Sequence, residues 1–427
     1  MSVSQEVSQD KVGVLLVGLG ALSTTLVAGI EAVQRGLARP IGSLTQLCRV
    51  NGATAPTLLS DILPMTPLSG LEFAAWDIFP DTAYESAVKA AVLDRPTLEA
   101  VRSRLEELRP HKAVVDAHSQ RNLKGQHAKK GTLWEQAQEL EGEIVAFREG
   151  RGLKRLVTVL CHSTELTPDL GEAAKSLPKF EQAMKANSRN LISSMIYTYV
   201  SIKLGIPVVN CTPSLCVDVP ALRAMAEERG VAICGKDLKT GQTLLKTILA
   251  PGIKARFLGL SGWYSTNILG NRDGEVLNDP ESAKTKVTSK LSVLDSILEP
   301  EKNPELYGKF YHKVKIDYYP PRGDNKEAWD NIDIFGWMDY PMQIKVNFLC
   351  RDSILAAPLA LDLVLLIDLA QRNGWKGLQD WLGFFFKSPL QGGREKPIHD
   401  LFQQHAELEA GLAQLRKLSP APKASAH

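Results

Sequence analysis

The sequence has almost no excess charge and no long uninterrupted hydrophobic run. Lysine and arginine number 50 and aspartate and glutamate number 48, which leaves a net charge of +2. General nucleic-acid binders and polybasic membrane proteins carry a much larger positive excess. The most apolar stretch, residues 354–370, contains Asp362 and Asp368 and is shorter than the ~20 residues that span a bilayer. We therefore expect no nucleic-acid partner and no membrane partner, and we interpret this stretch as a buried helix.

Cysteine is also scarce, and no CxxC pair occurs. The cysteines are Cys48, Cys161, Cys211, Cys216, Cys234 and Cys350. Their spacing indicates neither a zinc site nor a disulfide framework. The first residues, MSVSQEVSQDK, lack the apolar stretch of a signal peptide. Reduced thiols and the absence of such a stretch favour a cytoplasmic protein.

The sequence does contain the alternation of strands and helices that is typical of an α/β protein. Residues 12–18 (VGVLLVG) predict a buried parallel strand, and residues 21–35 predict a helix after a glycine turn. Further strands are predicted at 153–162, 206–214 and 231–237, with helices at 193–205 and 240–248. This rhythm predicts a parallel sheet with right-handed crossovers, and 427 residues suffice for two or three domains.

Two regions differ from this pattern. Residues 94–150 predict exposed helices around a solvated basic loop near 123–131. Between 254 and 347, the segments KARFLGLSGWYS, KVKIDYYPP and MQIKVNFLC predict strands, with one helix between the first two, and indicate a smaller inserted α+β domain. We therefore assign residues 11–245 and 350–415 to a Rossmann-like domain, 246–349 to the inserted domain and 416–427 to a disordered tail.

The segment Gly18-Leu19-Gly20-Ala21-Leu22-Ser23 follows the first predicted strand and opens the first helix. Glycines let the backbone approach a pyrophosphate, and a helix N-terminus attracts its charge. Ser23 stands where a third glycine is usual, and no acidic residue lies about 20 residues further on. The segment predicts a dinucleotide site or, equally, a tight turn beside an empty crevice.

Two other segments allow a binding role and an ordinary structural role. Asp77, in Trp76-Asp77-Ile78, either accepts hydrogen bonds from a ribose or caps a turn. Residues 237–243 (DLKTGQT) offer hydroxyls, a glycine and the N–H groups of a helix start. That combination suits a phosphate ester, and it equally suits a capped helix.

Several charged side chains are weak signals when they are taken one at a time. Residues 271–274 (NRDG) are typical of a polar turn, and residues 323–326 (GDNK) form another turn. Lys286 and Lys290 are four positions apart and share one face of a predicted helix. Two lysines that simply face solvent would show the same spacing. Asp352 could cap the apolar helix. Lys387 follows three phenylalanines, and an apolar environment lowers a lysine pKa and favours base chemistry.

Taken in order, these segments resemble the inositol-phosphate synthase (1L-myo-inositol-1-phosphate synthase) family. The resemblance runs from about residue 12 to residue 389 and is densest from 237 to 368. Its most specific blocks are DLKTGQT, LGNRDG, AKTKVTSK, GDNK and RDSILAAPLALDLVLL. Five blocks in that order are hard to obtain by chance.

The resemblance implies a Rossmann-like NAD-binding domain with an inserted catalytic domain that also builds a homotetramer. It implies conversion of D-glucose 6-phosphate to 1D-myo-inositol 3-phosphate, the first step of inositol biosynthesis and a source of phospholipid headgroups. The implied steps are oxidation at C5 by NAD, enolisation, aldol closure between C6 and C1, and reduction that regenerates NAD. Relatives differ in whether they use a monovalent or a divalent cation, and no His/Cys cluster in the sequence decides between the two.

The resemblance also implies a set of site residues. Lys286 takes the C5 hydroxyl proton, Lys326 and Lys387 polarise carbonyl oxygens, and Lys290 binds the phosphate together with Thr240, Gly241 and Gln242. Asp237, Asp324 and Asp352 hold lysines and sugar hydroxyls, while Asn271 and Asp273 line the sugar and nicotinamide site. The implied NAD contacts are Gly18, Gly20, Ala21, Leu22, Ser23, Asp77, Ile78, Ser163 and Thr212.

Two other functions are compatible with this fold. A dehydrogenase acting on a sugar phosphate would accumulate NADH in step with product, but hydride transfer alone does not need four lysines. A non-catalytic NAD-binding regulator would bind NAD without turnover, and the loss of a catalytic lysine would be its signature. All four lysines are present, so we favour an active isomerase.

Overall fold

A computed structural model describes residues 11–51, 56–115, 125–271, 274, 293–393 and 396–418. The strands are β1 (Val12–Val17), β2 (Arg49–Asn51), β3 (Pro56–Leu58), β4 (Leu71–Asp77), β5 (His111–Lys112), β6 (Arg155–Leu160), β7 (Val208–Asn210), β8 (Ala232–Gly235), β9 (Gly259–Leu269), β10 (Tyr311–Tyr318), β11 (Asn325–Phe335), β12 (Pro341–Arg351) and β13 (Gly377–Leu378).

The α-helices alternate with the strands in the first half of the chain and close the second half. They are α1 (Ala21–Gln34), α2 (Leu44–Leu47), α3 (Leu59–Ile62), α4 (Ala83–Ala90), α5 (Arg95–Ala100), α6 (Arg102–Glu107), α7 (Leu133–Gly150), α8 (Leu177–Lys185), α9 (Ser193–Lys203), α10 (Pro220–Arg229), α11 (Gly241–Ala255), α12 (Pro304–Tyr307), α13 (Asp352–Arg372) and α14 (Leu401–Leu418). A further helical segment covers 293–298.

A seven-stranded parallel sheet with helices on both faces forms the larger part of the molecule. Its strand order is β13-β8-β7-β6-β1-β4-β5. Side chains alternate across β1: Val14 and Leu16 belong to the same buried cluster as side chains of α1, α13 and α14, whereas Leu15 and Val17 belong to the cluster formed with α7, α8 and α9. Continuous burial on both faces explains why the strand reads as an uninterrupted apolar run. The predicted Rossmann-like α/β class is confirmed.

A four-stranded mixed sheet, in the order β10-β9-β11-β12, forms the second sheet of the molecule. Strand β9 pairs in parallel with β10 and antiparallel with β11. Its inner face buries Trp263 and Ile332 against α11 and the helical segment 293–298. The predicted domain boundary at 245 falls inside α11, and β12 extends to Arg351, past the predicted end at 349.

The sequence prediction missed β11. The inward-facing positions of this strand include Lys326 and Asp330 as well as Ala328, Ile332 and Ile334. Two buried charged side chains interrupt the alternation of apolar and polar residues that identifies a half-buried strand. The predicted start of β9 at 254 was also wrong, since residues 254–255 complete α11.

The solvated basic loop predicted near 123–131 is wrong at Lys129, whose side chain is completely buried. Its Nζ lies 2.9 Å from Glu139 Oε1 and 2.7 Å from Glu143 Oε1, both on α7. Two carboxylates therefore compensate the buried ammonium. Composition alone could not reveal this pairing, because the partners lie 10 and 14 positions further along the chain.

By length and composition alone, helix α13 could cross a membrane, but most of it is buried inside the protein. Asp362 accepts hydrogen bonds from Ser43 Oγ at 2.6 Å and Leu44 N at 2.7 Å, and so caps α2. Asp368 pairs with Arg155 on β6 at 2.5 Å. Asp368 therefore ties the helix to the sheet and Asp362 ties it to α2, as expected of a core helix. Helix α14 ends at Leu418, three residues into the segment predicted as a tail.

Candidate active site

A cavity of about 510 Å³ opens at the carboxyl edge of the parallel sheet. In a doubly wound sheet this edge is where ligands bind, beside the point at which the strand order reverses. Strand β1 lies at that point, between β6 and β4. The cavity continues from the turn after β1 to loops of the second sheet and to Lys387. Residues at its far end are Asp237, Leu238, Thr240, Gly270, Asn271, Gly323, Asp352, Ser353 and Lys387.

The turn after β1 is shaped to admit a ligand close to its backbone. Gly18 has a φ of +92°, and a Cβ there would lie 2.7 Å from His162 Cα, so only glycine fits. A Cβ at Gly20 would meet nothing within 4 Å, which leaves open space beside the helix start. Helix α1 has no side-chain cap at Gly20. Its first N–H groups therefore suit a pyrophosphate.

The predicted cofactor residues of this turn divide into two groups. Gly18, Gly20, Ala21 and Leu22 line the cavity. Ser23 is completely buried, and its hydroxyl donates to the carbonyl of Gly18 at 2.6 Å. Ser23 therefore stabilises the turn from within, in the place where a third glycine is usual.

Asp77 ends β4, the sheet neighbour of β1, and lines the same cavity. Its Oδ2 accepts a hydrogen bond from Leu19 N at 2.5 Å and its Oδ1 accepts one from Phe79 N at 2.9 Å. An acidic residue at the end of the second strand of a Rossmann domain is the usual ribose ligand. Here the chain between β1 and β4 includes the β2–β3 hairpin, so this carboxylate lies 58 positions beyond Leu19.

The remaining predicted cofactor contacts follow the neighbouring strands. Ile78 follows β4, Ser163 lies just beyond β6, and Thr212 follows β7; all three line the cavity. Thr212 Oγ1 donates to Asn210 Oδ1 at 2.9 Å, which fixes its rotamer. Together with the open glycine turn and Asp77, these residues fit a bound dinucleotide.

Asp237 and Lys387 form an ion pair at the far end of the cavity. Lys387 Nζ lies 3.3 Å from Asp237 Oδ1, and both side chains are buried. Backbone pairing creates this contact: Lys387 N donates to Asp237 O at 2.6 Å, and Lys236 and Ser388 exchange two further hydrogen bonds. Asp237 Oδ2 is buried and, among the described residues, has no hydrogen-bond partner.

A second ion pair joins Lys326 on β11 to Asp352, the first residue of α13. The Nζ–Oδ2 distance is 3.2 Å, and Lys326 is 3% exposed. Arg351 is the N-cap of α13 and Asp352 is the first residue of the helix, so Asp352 does not hold the cap position that was one of its predicted roles. A Cβ at Gly241, where φ is +53°, would lie 3.9 Å from both Lys326 Cδ and Asp352 Oδ1. The N-terminus of α11 therefore abuts this pair.

Asp324 lies beside the second pair. Its Oδ1 accepts from Asn271 Nδ2 and from Ser353 Oγ, each at 3.4 Å, while Arg351 Nε is 4.0 Å from Oδ2. Burial raises the pKa of this carboxyl above its usual range. Neighbouring Cys350 stays a thiol at neutral pH, because burial raises its pKa to about 11.

Thr240 lines the cavity as the N-cap of α11 and Gly241 is the first residue of that helix, but the side chain of Gln242 is already engaged within the protein. Its Nε2 donates to Asp330 Oδ2 at 2.9 Å, and its Oε1 accepts from Asn267 Nδ2. The Gln242 side chain thus holds α11 against the second sheet. A phosphate role for Gln242 would use its backbone N–H, in the first turn of the helix.

Lys286, Lys290 and Asp273, together with Arg272, lie outside the described residues. Their roles stay predictions. Sequence reasoning missed Ser353 and His162, which line the cavity; His162 Nε2 lies 3.8 Å from the buried carboxylate of Glu165. The described residues contain no group of three or more His, Cys, Asp or Glu side chains arranged to hold a metal ion.

The chain resembles known proteins over nearly its whole length. An NAD-binding family described as myo-inositol-1-phosphate synthase matches residues 12–412. Inositol-3-phosphate synthase 1 of Bacteroides thetaiotaomicron is 53% identical over 398 residues, which is 92% of this chain and 93% of the relative. Inositol-3-phosphate synthase of Drosophila melanogaster is 30% identical, over 93% of this chain and 77% of the relative.

A comparison with solved structures also finds an inositol-3-phosphate synthase. The crystal structure of inositol-3-phosphate synthase from Caenorhabditis elegans matches with a TM-score of 0.88 at 25% sequence identity. The match covers 96% of this chain and 86% of the other.

Proposed function

This chain belongs to the myo-inositol-1-phosphate synthase family, and we infer from that membership that it is an NAD-dependent isomerase converting D-glucose 6-phosphate to 1D-myo-inositol 3-phosphate. The single observation that carries the residue assignments below is the continuity of one cavity. It joins the glycine turn after β1 to the Asp237–Lys387 pair and to Asp352, 3.2 Å from Lys326. A cofactor and a sugar phosphate can therefore meet in one continuous cavity.

The order of steps follows from the chemistry of the sugar. NAD supplies a reversible oxidation at C5 when it is bound to the glycine turn. A ketone at C5 acidifies the hydrogens on C6, and the resulting enolate attacks the aldehyde at C1 to close the ring. Each of these changes places negative charge on an oxygen, which nearby cations stabilise.

Lys326 and Lys387 are the cations that we propose for those oxygens. Each has a carboxylate partner at 3.2–3.3 Å, which fixes its position before substrate arrives. An ammonium carries three N–H donors, so the bond from Lys326 to Asp352 leaves donors for substrate oxygens. Asp237, Asp324 and Asp352 position the lysines and accept hydrogen bonds from sugar hydroxyls, and Asn271 contacts the sugar beside Asp324.

The phosphate role falls to the start of α11. Thr240 and Gly241 present backbone N–H groups at the N-terminus of a 15-residue helix, which attracts a phosphate. We propose Lys290 as the countercharge, Lys286 as the base for the C5 hydroxyl, and Asp273 as a contact of the sugar and nicotinamide. These three roles rest on the family resemblance.

Self-association is supported by the outer face of the second sheet. Tyr264, Tyr311, Trp329 and Leu349 share that face, and the last three are 66%, 50% and 59% exposed. Large exposed apolar side chains on one sheet face are typical of an interface between chains. We propose that this face packs against further copies in a homotetramer.

We also propose a cytoplasmic location and a mode of cation binding. All six cysteines are free thiols, which suits a reducing cytoplasm. A monovalent or divalent cation, if the enzyme uses one, would bind through carboxylates, the substrate phosphate and water. The product would supply inositol for phospholipid headgroups.

A turnover assay tests the proposed function. Purified protein is incubated with D-glucose 6-phosphate and substoichiometric NAD, with and without magnesium or ammonium, and followed by phosphorus NMR and by absorbance at 340 nm. We expect inositol phosphate in large molar excess over NAD with no lasting absorbance change, and no product from Lys286→Ala. Absorbance that rises in step with an oxidised sugar would indicate a dehydrogenase instead, and NAD binding without any product would indicate a regulator.

A further inference from the structure

Lys239 is a buried lysine for which the proposed reaction has no use. It lies between Asp237 and Thr240, which both line the cavity, but Lys239 does not line it and is only 4% exposed. Its Nζ donates a hydrogen bond to Gln404 Oε1 on α14 and lies 5.4 Å from the centre of the Phe384 ring. The side chain thus connects the loop that carries Asp237 to the C-terminal helix.

Burial of this amine costs stability. Among the residues that the structure describes, no carboxylate lies within ion-pair distance of Lys239 Nζ. Desolvation lowers the pKa of Lys239 to about 7, although the negative charge of Asp400 raises it by a smaller amount. An apolar side chain of similar length would avoid that cost. Retention of a lysine here is therefore better explained by its contact with Gln404 than by core packing.

The acceptor is itself firmly held. Gln404 Nε2 donates to Ile398 O at 2.6 Å, and Asp400 Oδ1 accepts from Phe402 N at 2.9 Å at the start of α14. Ser296 Oγ donates to Pro397 O at 2.7 Å and joins the preceding segment to the helical segment 293–298. A fixed acceptor makes Gln404 an anchor for the loop.

The backbone holds the same loop from its other side. Lys239 N donates to Phe385 O at 2.8 Å, the last hydrogen bond in the pairing of residues 236–239 with 385–388. That pairing sets the Asp237–Lys387 contact, but it ends at Lys239, immediately before Thr240, the N-cap of α11. The Nζ–Gln404 contact therefore fixes the loop where the backbone ladder stops.

We propose that Lys239 is a positioning residue: by anchoring the loop 237–241 to Gln404, it sets the geometry of Asp237 and of the phosphate-facing start of α11. The C-terminal helix thereby controls a substrate site that it does not line. This inference rests on the proposed substrate role of the loop.

A double-mutant cycle tests the anchor. Lys239→Met and Gln404→Leu each remove one partner with little change in volume, and Gln404→Glu keeps the acceptor for Lys239 but loses the donor to Ile398 O. We expect each of the first two to raise KM for D-glucose 6-phosphate by about fivefold or more, as for loss of one hydrogen bond of ~1 kcal/mol. The double variant should be no worse than either single variant, because both break the same contact. Gln404→Glu should raise KM less than Gln404→Leu, because it keeps the acceptor for Lys239 and loses only the hydrogen bond to Ile398 O.

Lys246→Met is the matched control. Lys246 lies on α11 and, like Lys239, is buried, which lowers its pKa to about 8. Its Nζ lies 2.8 Å from His312 Nε2 and not beside α14. We expect this variant to change thermal stability without raising KM. Affinity for NAD, measured by fluorescence titration, should be unchanged in all variants.

Hydrogen–deuterium exchange provides a readout that is independent of turnover. Exchange at residues 237–241 should increase in Lys239→Met and Gln404→Leu, but not in Lys246→Met. An unchanged KM with unchanged exchange, or additive losses in the double variant, would overturn the anchor. A wild-type protein that makes no inositol phosphate would instead overturn the proposed function, and the exchange data would still decide whether the anchor exists.

Discussion

Lys387 Nζ lies 3.3 Å from Asp237 Oδ1, although 150 positions separate the two residues. The contact results from antiparallel pairing of residues 236–239 with 385–388, which places an acidic and a basic side chain at one end of the cavity. Both groups are buried, so their geometry is fixed before a substrate binds. Pre-set cations of this kind lower the barrier to reactions that develop charge on oxygen.

Asp237→Asn should lower kcat without weakening NAD binding. The substitution preserves shape but removes the charge that holds Lys387, and a hydrogen bond to a charged group contributes about 1.5–3 kcal/mol, or roughly 10- to 100-fold in rate. Steady-state kinetics and NAD titration measure the two quantities. Asp218→Asn is the control, since Asp218 pairs with neighbouring Lys236 at 2.7 Å but does not line the cavity. Equal losses in both variants would contradict the assignment.

Asp77→Ala should weaken NAD affinity by about tenfold or more, because it removes the acceptor for Leu19 N and the proposed ribose ligand. The wild type should also reject NADP, since a carboxylate repels a 2′-phosphate. Equilibrium titration with both dinucleotides gives the affinities. Glu72→Gln, at the opposite end of β4, should bind NAD normally. Undiminished binding by Asp77→Ala would place the ribose elsewhere.

Acid should destabilise the protein through His399. Burial, assisted by nearby Lys239, lowers the pKa of this imidazole to about 4, against 6.5 for an exposed histidine. Between pH 6.5 and 4 the unfolded chain binds a proton that the folded chain does not, so stability falls as the pH falls through that range. The full effect is roughly 3 kcal/mol at most.

Thermal unfolding of the wild type and of His399→Phe across pH 4–7 measures this contribution. The variant should lose less stability on acidification, while His405→Phe, at the surface of α14, should behave as the wild type. Parallel curves for the wild type and His399→Phe would show that His399 is not the group responsible.

Leu349→Glu should reduce the mass of the particle in solution. The side chain lies on the exposed outer face of the second sheet, near Trp329, and a carboxylate at the centre of an apolar interface costs several kcal/mol when it is unpaired. Light scattering after size-exclusion chromatography gives the mass. Leu418→Glu, at an exposed leucine on α14, should leave the mass unchanged. A tetramer that survives Leu349→Glu would exclude this face as the interface.

The sequence predicted the parallel sheet and the glycine turn because both depend on local pattern: a strand buried on both faces is a continuous apolar run. Strand β11 was not predicted, because Lys326 and Asp330 occupy inward positions that are usually apolar. The spacing between the glycine turn and Asp77 did not identify Asp77 as the ribose ligand, because the β2–β3 hairpin lengthens the chain between them.

The contacts among site residues were beyond local pattern for a different reason. The Lys326–Asp352 and Asp237–Lys387 pairs depend on which distant segments lie side by side, and spacing along the chain does not encode that. The family resemblance named these residues individually. Their pairing, and the link from Lys239 to Gln404, came only from the three-dimensional arrangement.

The most direct test of the account is the fate of the hydrogen on C5. D-Glucose 6-phosphate deuterated at C5 is incubated with the enzyme and substoichiometric unlabelled NAD, and product and cofactor are analysed by mass spectrometry. Oxidation and re-reduction within one cavity predict an inositol phosphate that retains the deuterium, formed many times over per NAD. Deuterium that accumulates in NADH, beside an oxidised sugar phosphate, would contradict the isomerase account.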